Sequence, residues 1–281
     1  YRNTVTPGNN VTPGNNATPP EVSEKTDFET RETSMDNVVN GRNKKTTTGP
    51  REFLIDLLDL LSDATSVPVK NYMYGNNHFK NANTTRNKFF GNKESIITET
   101  LFGQFVSKCV CNDCDTVVFD YKNFLDITLF PKPDTSIKFL LNRYFDKDYQ
   151  PYECLDCCPT GYVDKEHTIY KSLYRLPNVL VITLDRFAWD GTKNNGNVSI
   201  DEKLDLSEYL FSNTNESAIY TLSSIICHIS IDSESSYLSI IKRNNEYYIA
   251  KDEKVKKLNG NIDTIGGSFS YICFYEKQIV E

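Results

Sequence analysis

Two matched cysteine pairs, Cys111-Asn112-Asp113-Cys114 and Cys154-Leu155-Asp156-Cys157, constrain the fold of this chain more than any other feature. Each pair can sit on a tight turn that aims both sulfurs at one point, and two such turns supply the tetrahedral thiolate set that zinc favours. Two disulfides, or four unrelated buried cysteines, are the alternatives. Residues 115–153 separate the pairs, a longer spacer than the roughly 15–20 residues of a compact zinc ribbon. The clamp is therefore expected to pin the tips of two long hairpins. Cys109, Cys158, Cys227 and Cys273 are scattered, which favours metal use in a reducing compartment over a secreted disulfide framework.

A chain of 281 residues can form one large domain or two small ones. Its 17 tyrosines and 16 phenylalanines beside 2 methionines point to a β-rich interior. The net charge of −7 argues against nucleic acid as a partner and suits a basic protein surface. No apolar run reaches the ~18 residues of a membrane span. No secretory leader opens the sequence, so an intracellular protein, cytoplasmic or nuclear, is expected. The start at Tyr1 reads as a piece of something longer.

Residues 1–47 read as a disordered low-complexity linker or insertion. Val5-Thr6-Pro7-Gly8-Asn9-Asn10 recurs at residues 11–16, and little apolar follows before Val38-Val39. Residues 48–281 form the domain. Apolar residues at 53, 54, 57, 58, 60 and 61 give a helical stripe with acids opposite, and Pro50 stands near the helix start. Residues 62–86 read as a connector, and Ser95–Gly103 as either helix or strand. From Gly103 the pattern is β, through Phe124–Leu129, His167–Tyr174, Tyr220–His228, Tyr237–Ile241, Glu246–Ala250 and Phe269–Tyr275. Ser136–Phe145 interrupts it as a helix. Val179–Leu184, a continuous apolar run, is expected to be a central strand buried on both faces.

In their order these pieces resemble the ubiquitin-specific protease family, the papain-like thiol deubiquitinases. Glu52-Phe53-Leu54, Leu101-Phe102-Gly103 and the first cysteine pair come first, then Phe124–Leu129 and the second pair. Leu176-Pro177-Asn178-Val179-Leu180, Leu184-Asp185-Arg186-Phe187, Leu204–Leu210, His228 and Ser270–Tyr275 follow. The resemblance implies an α+β, β-rich papain-like fold with fingers at about 103–175, a palm at about 176–281 and a partial thumb. It implies a structural Zn2+ on Cys111, Cys114, Cys154 and Cys157. It also implies a cleft for the ubiquitin tail, with Phe187, His228 and Tyr237 as its walls.

A thiol protease needs a cysteine, an imidazole that takes its proton, and a group that orients the imidazole. The family draws its cysteine from a Gly-Asn-Thr-Cys box ahead of the Glu52 helix, and nothing of that kind lies between Tyr1 and Thr48. Ser236 stands at the position of the family's base, and no histidine follows His228. Lys251 stands at the position of the orienting carboxylate, with Asp252 one residue away. A serine cannot take a proton near neutrality, and a lysine would repel an imidazolium. Thr48-Gly49 and Asp185 also depart from the family pattern. Adjacent strand residues face opposite ways, so Cys227 and His228 are not expected to pair. The expectation is a catalytically inactive module that binds ubiquitin or a ubiquitinated protein, or scaffolds a multiprotein complex. The alternatives are an active deubiquitinase whose cysteine box lies upstream, and a zinc-stabilised adaptor.

Overall fold

Residues 49–69, 76–157, 159, 164–187, 192–211, 217–231, 234–264 and 266–278 are described by a computed structural model. The expectation for residues 1–47 lies outside them. Pro50 opens helix α1 (Pro50–Thr65), where a missing N–H is not needed, and Glu52 favours the positive helix end. The helix docks through Ile55 and Leu58. Phe53, Leu57, Leu60 and Leu61 stay exposed, so the apolar stripe is only partly covered.

Strand β1 (Val67–Pro68) precedes helix α2 (Asn77–Phe89), which Asn76 caps by accepting the Phe79 N–H at 2.8 Å. This helix corrects the reading of 62–86 as a connector. It is polar, with only Ala82 buried, and tertiary packing holds it: His78 Nδ1 lies 2.5 Å from the Tyr121 hydroxyl and its ring meets Phe119 edge-on. Strand β2 (Lys93–Glu94) pairs with β1. Helix α3 (Ile96–Leu101) settles the open reading of Ser95–Gly103. Ser95 and Thr98 exchange side-chain and backbone hydrogen bonds in a capping box that commits the segment to helix.

The chain continues as β3 (Gly103–Cys111), β4 (Val117–Phe124), β5 (Asp126–Leu129), β6 (Thr135–Ser136) and helix α4 (Ile137–Tyr144). Strands β7 (Asp148–Glu153), β8 (Asp164–Arg175), β9 (Val179–Leu184), β10 (Val198–Ser199) and β11 (Lys203–Asp205) follow. Then come β12 (Ile219–Ile231), β13 (Glu234–Arg243), β14 (Glu246–Lys251), β15 (Lys254–Lys257), the short helix α5 (Gly266–Phe269) and β16 (Ser270–Lys277). Four antiparallel strands form one sheet in the order β4-β3-β8-β7. A larger sheet runs β15-β14-β13-β12-β16-β9-β5, with β11 also on β12. The architecture is α+β and β-rich, as expected. Strand β9 is buried on both faces but lies next to edge strand β5; β12, which pairs with β11, β13 and β16, is the hub. Among the described residues no helix is long and apolar enough to cross a membrane.

A charged side chain lies deep inside this framework. Arg186 follows β9 and is 2% exposed. Its Nε donates to Ser270 O at 2.7 Å, Nη1 to Asn194 O and Gly196 O at 3.2 and 2.8 Å, and Nη2 to Gly267 O and Ser270 Oγ at 2.8 and 3.1 Å. Burial lowers its pKa, but the guanidinium keeps its charge through these carbonyls. Arg186→Met would strand several buried carbonyls at once. A stability loss of at least about 3 kcal/mol is expected in urea unfolding; a loss within ~0.5 kcal/mol would contradict this role.

Candidate functional site

The two cysteine pairs meet. Cys111 ends β3, and the turn after it closes by hydrogen bonds from the Asp115 N–H to Cys111 O and from the Cys111 N–H to Thr116 O, both 3.0 Å. Asp115 takes the left-handed conformation this turn needs, at φ 59°. Cys154 and Cys157 occupy the turn after β7. All four sulfurs lie within 4.8 Å of one another, with Cys111–Cys157 and Cys114–Cys154 at 3.6 Å. These separations exclude disulfides, which need about 2.05 Å. Zinc–sulfur bonds of about 2.3 Å in a tetrahedron set sulfurs about 3.8 Å apart, so the donor set and its spacing fit zinc.

Polar contacts brace the two turns. Thr116 Oγ1 donates to Asp156 Oδ2 at 2.8 Å, Asn112 Nδ2 to Glu166 Oε2 at 3.0 Å, and Thr168 Oγ1 to Asn112 Oδ1 at 2.7 Å. Hydrogen bonds with Cys157 and Thr116 bring the Cys114 thiol down to about 6, while contact with Cys114 pushes the Cys157 thiol up. Four protein ligands would fill zinc's coordination sphere, which suits a structural site with no open position for chemistry. Cys109, half-buried on β3, is not one of the four. Cys158 lies outside the described residues. His167 is a buried structural histidine whose Nδ1 meets Lys165 O at 2.8 Å.

The residues expected in a tail cleft also come together. His228 of β12 and Tyr237 of β13 are register partners, so they share a sheet face; their rings stack at 4.8 Å. The Phe187 ring lies 5.6 Å from that of His228, tilted by 41°. The outer rings are exposed, at 38% for Phe187 and 41% for Tyr237, whereas His228 is 7% exposed. Lys193 Nζ donates to His228 O at 2.8 Å. Burial, with the Lys193 charge nearby, lowers the His228 pKa, so its imidazole is neutral at neutral pH; among the described residues Nε2 has no hydrogen-bond partner. Cys227 faces the opposite way, into the core, as strand alternation requires.

Ser236 and Lys251 form a second group. Leu238 and Ile240 of β13 and Ile249 of β14 pack on the core face, and Ser236 and Lys251 share their parity. Lys251 Nζ donates to Ser236 Oγ at 3.3 Å. The pair therefore lies on the opposite sheet face from the ring row. Three positioning residues carried no signal in the spacing. Arg51 holds α1 against β5 through two hydrogen bonds to Asp126, both 3.0 Å, and Thr183 adds a third to the same carboxylate at 2.5 Å. Arg186 fixes the chain directly ahead of Phe187. Lys193 braces the backbone behind His228.

The model of the family "Ubiquitin carboxyl-terminal hydrolase" matches residues 33–275. The chain belongs to the ubiquitin carboxyl-terminal hydrolase family. It is similar to ubiquitin carboxyl-terminal hydrolase 42 of Homo sapiens, 25% identical over 187 residues that cover 64% of this chain and 14% of that protein. It is similar also to the probable ubiquitin carboxyl-terminal hydrolase 16 of Schizosaccharomyces pombe, 25% identical over 194 residues, 66% of this chain and 41% of that protein. The chain thus spans less than half the length of these relatives. Among solved structures, it superposes with a TM-score of 0.56 and 19% identity on the SAGA Ubp8/Sgf11/Sus1/Sgf73 deubiquitinase module bound to ubiquitin aldehyde, covering 71% of this chain and 48% of that one. The fold is therefore that of ubiquitin-specific proteases, as the sequence resemblance implied.

Metal analysis of the purified chain is expected to give about one zinc per molecule. Cys154→Ser should remove the metal and unfold the β3–β4 and β7–β8 hairpin tips, read as lost amide protection there. A metal-free variant with full protection would contradict the clamp.

Proposed function

We propose that this domain is a ubiquitin-specific-protease-like module without hydrolytic activity, which binds ubiquitin or a ubiquitinated protein, or scaffolds a multiprotein complex. The observation that carries the reading is the contact between Lys251 and Ser236. A catalytic imidazole and its orienting carboxylate need to stand at hydrogen-bond distance. The two residues at those positions in the family pattern do stand so, and neither can do the work. A serine hydroxyl does not accept a proton near pH 7, and an ammonium cannot stabilise an imidazolium. The four-stranded sheet with its cysteine clamp corresponds on this reading to the fingers, and the larger sheet to the palm. An intracellular setting suits four reduced thiols that hold a metal.

The row Phe187–His228–Tyr237 offers two exposed aromatic rings beside a buried neutral imidazole, suited to a thin, uncharged peptide tail. Titration of labelled ubiquitin with this chain is expected to saturate in the micromolar range. Changing both Phe187 and Tyr237 to Ala should weaken the affinity about tenfold. A flat titration to high micromolar concentration would favour the zinc-stabilised adaptor.

One observation favours a second reading, an active deubiquitinase with its cysteine upstream: His228 is neutral, and Nε2 has no partner among the described residues. That reading predicts turnover of a ubiquitin amide by a longer protein carrying the cysteine box, abolished by His228→Gln. Turnover unaffected by that change would exclude His228 as the base.

A further inference from the structure

Six buried side-chain nitrogen or oxygen atoms lack a hydrogen-bond partner among the described residues, and five of them belong to four residues that converge. They are Arg86 Nη1, Gln104 Oε1, Asn123 Nδ2 and Oδ1, and Arg175 Nε. Gln104, near the start of β3, pairs in register with Asn123 of β4 on one side and with Arg175 of β8 on the other. The three side chains therefore stand in a row on one face of the four-stranded sheet. Helix α2 lies over that row. Gln104 Nε2 donates to Ala82 O at 2.8 Å, and Arg175 Nη2 donates to Asn83 Oδ1 at 2.9 Å. Arg86 is one turn along α2 from Ala82 and Asn83, so it reaches the same place. Its guanidinium is held by a bond from Nη2 to Thr98 O at 2.7 Å and by the ring of Phe90 at 5.0 Å.

Buried polar atoms in folded proteins are nearly always paired, and clusters of orphans point to bound water or an ion. Charge decides between these here. Two guanidiniums share the site, and among the described residues neither forms an ion pair. Gln104 is 0% and Asn123 5% exposed, while both arginines are half-buried, so bulk solvent only partly screens the pair. Burial and then the neighbouring Arg175 bring the Arg86 guanidinium down to about 10, against a partial offset from Glu99 and Glu94. Water can satisfy dipoles but does not neutralise two like charges.

We propose that Arg86, Gln104, Asn123 and Arg175 bind a small oxyanion between α2 and the four-stranded sheet, with inorganic phosphate the best-matched species. The free donors Arg86 Nη1, Arg175 Nε and Asn123 Nδ2 suit its unprotonated oxygens. The free acceptors Gln104 Oε1 and Asn123 Oδ1 suit the two P–OH protons of dihydrogen phosphate. Sulfate carries no proton at neutral pH and would leave both acceptors unpaired. This site is separate from the ring row and from the cysteine clamp, and it does not depend on the proposed ubiquitin binding.

The test is the melting temperature of the zinc-loaded 281-residue chain, titrated at pH 7 with phosphate, sulfate or chloride at constant ionic strength. Phosphate is expected to raise Tm saturably by about 3 °C or more, and sulfate by less. Asn123→Asp is isosteric and gives the arginines an internal carboxylate without breaking a protein hydrogen bond. It should raise Tm in phosphate-free buffer and erase the phosphate response. Arg175→Met should weaken the apparent phosphate affinity at least tenfold; if that variant does not fold, Asn123→Asp still decides. Three results would overturn the proposal: no phosphate response, an equal and unsaturable rise with phosphate and sulfate, or a phosphate response that Asn123→Asp leaves intact.

Discussion

A buried guanidinium that is satisfied by carbonyls rather than by a carboxylate holds the centre of this molecule. Arg186 joins the end of β9, the segment through Asn194 and Gly196, α5 and the start of β16. An Arg–acid pair in the same place would tolerate sliding of one partner. Bonds that fan out from one planar fork to separate backbone sites do not. Because Phe187 follows Arg186 directly, the same constraint places the first ring of the aromatic row. Lys193 then ties the backbone behind His228 into the arrangement. The exposed rings thus rest on a rigid base, which would spare the proposed tail-binding surface an ordering cost.

The two sheets are stabilised in different ways. The larger one lies on the main core, where β9, β12, β13 and β16 contribute buried apolar side chains, from Leu180 to Tyr275. On the α2 side of the four-stranded sheet the apolar cluster is small, with Ala82, Val106 and Tyr121 buried. With so little apolar burial on that face, long hairpins gain from a staple, and four cysteines spaced to fit zinc at their tips would supply one. The polar row beneath α2 belongs to the same region. A helix with an inward face of His78, Ala82, Asn83 and Arg86 docks by hydrogen bonds where a typical helix would use an apolar stripe.

What could be read from the residues alone follows from this contrast. The Val179–Leu184 strand, the Ser136–Phe145 helix and the cysteine clamp announce themselves through apolar runs, capping and spacing. Helix α2 does not, because nothing in Asn77–Phe89 repeats with an apolar period. Strands β7 and β15 are edges rich in Pro, Tyr and Lys, so they lack the alternation of a half-buried strand. The stripe on α1 was legible, but not how little of it the rest of the chain would cover. For the ring row, spacing carried no signal; the family resemblance did, and the register of β12 with β13 explains why His228 and Tyr237 meet. The pairing of Ser236 with Lys251 arises from the β13–β14 hairpin and has no trace in local sequence.

On the proposed reading the chemistry is lost while the scaffold is kept. That reading is tested most directly by exposing the protein, with whatever sequence precedes Tyr1 in place, to ubiquitin bearing a C-terminal electrophile, and weighing the product by mass spectrometry. Unmodified protein is expected after prolonged exposure, because Ser236 and Lys251 cannot generate a thiolate. A covalent ubiquitin adduct on a single cysteine would contradict it.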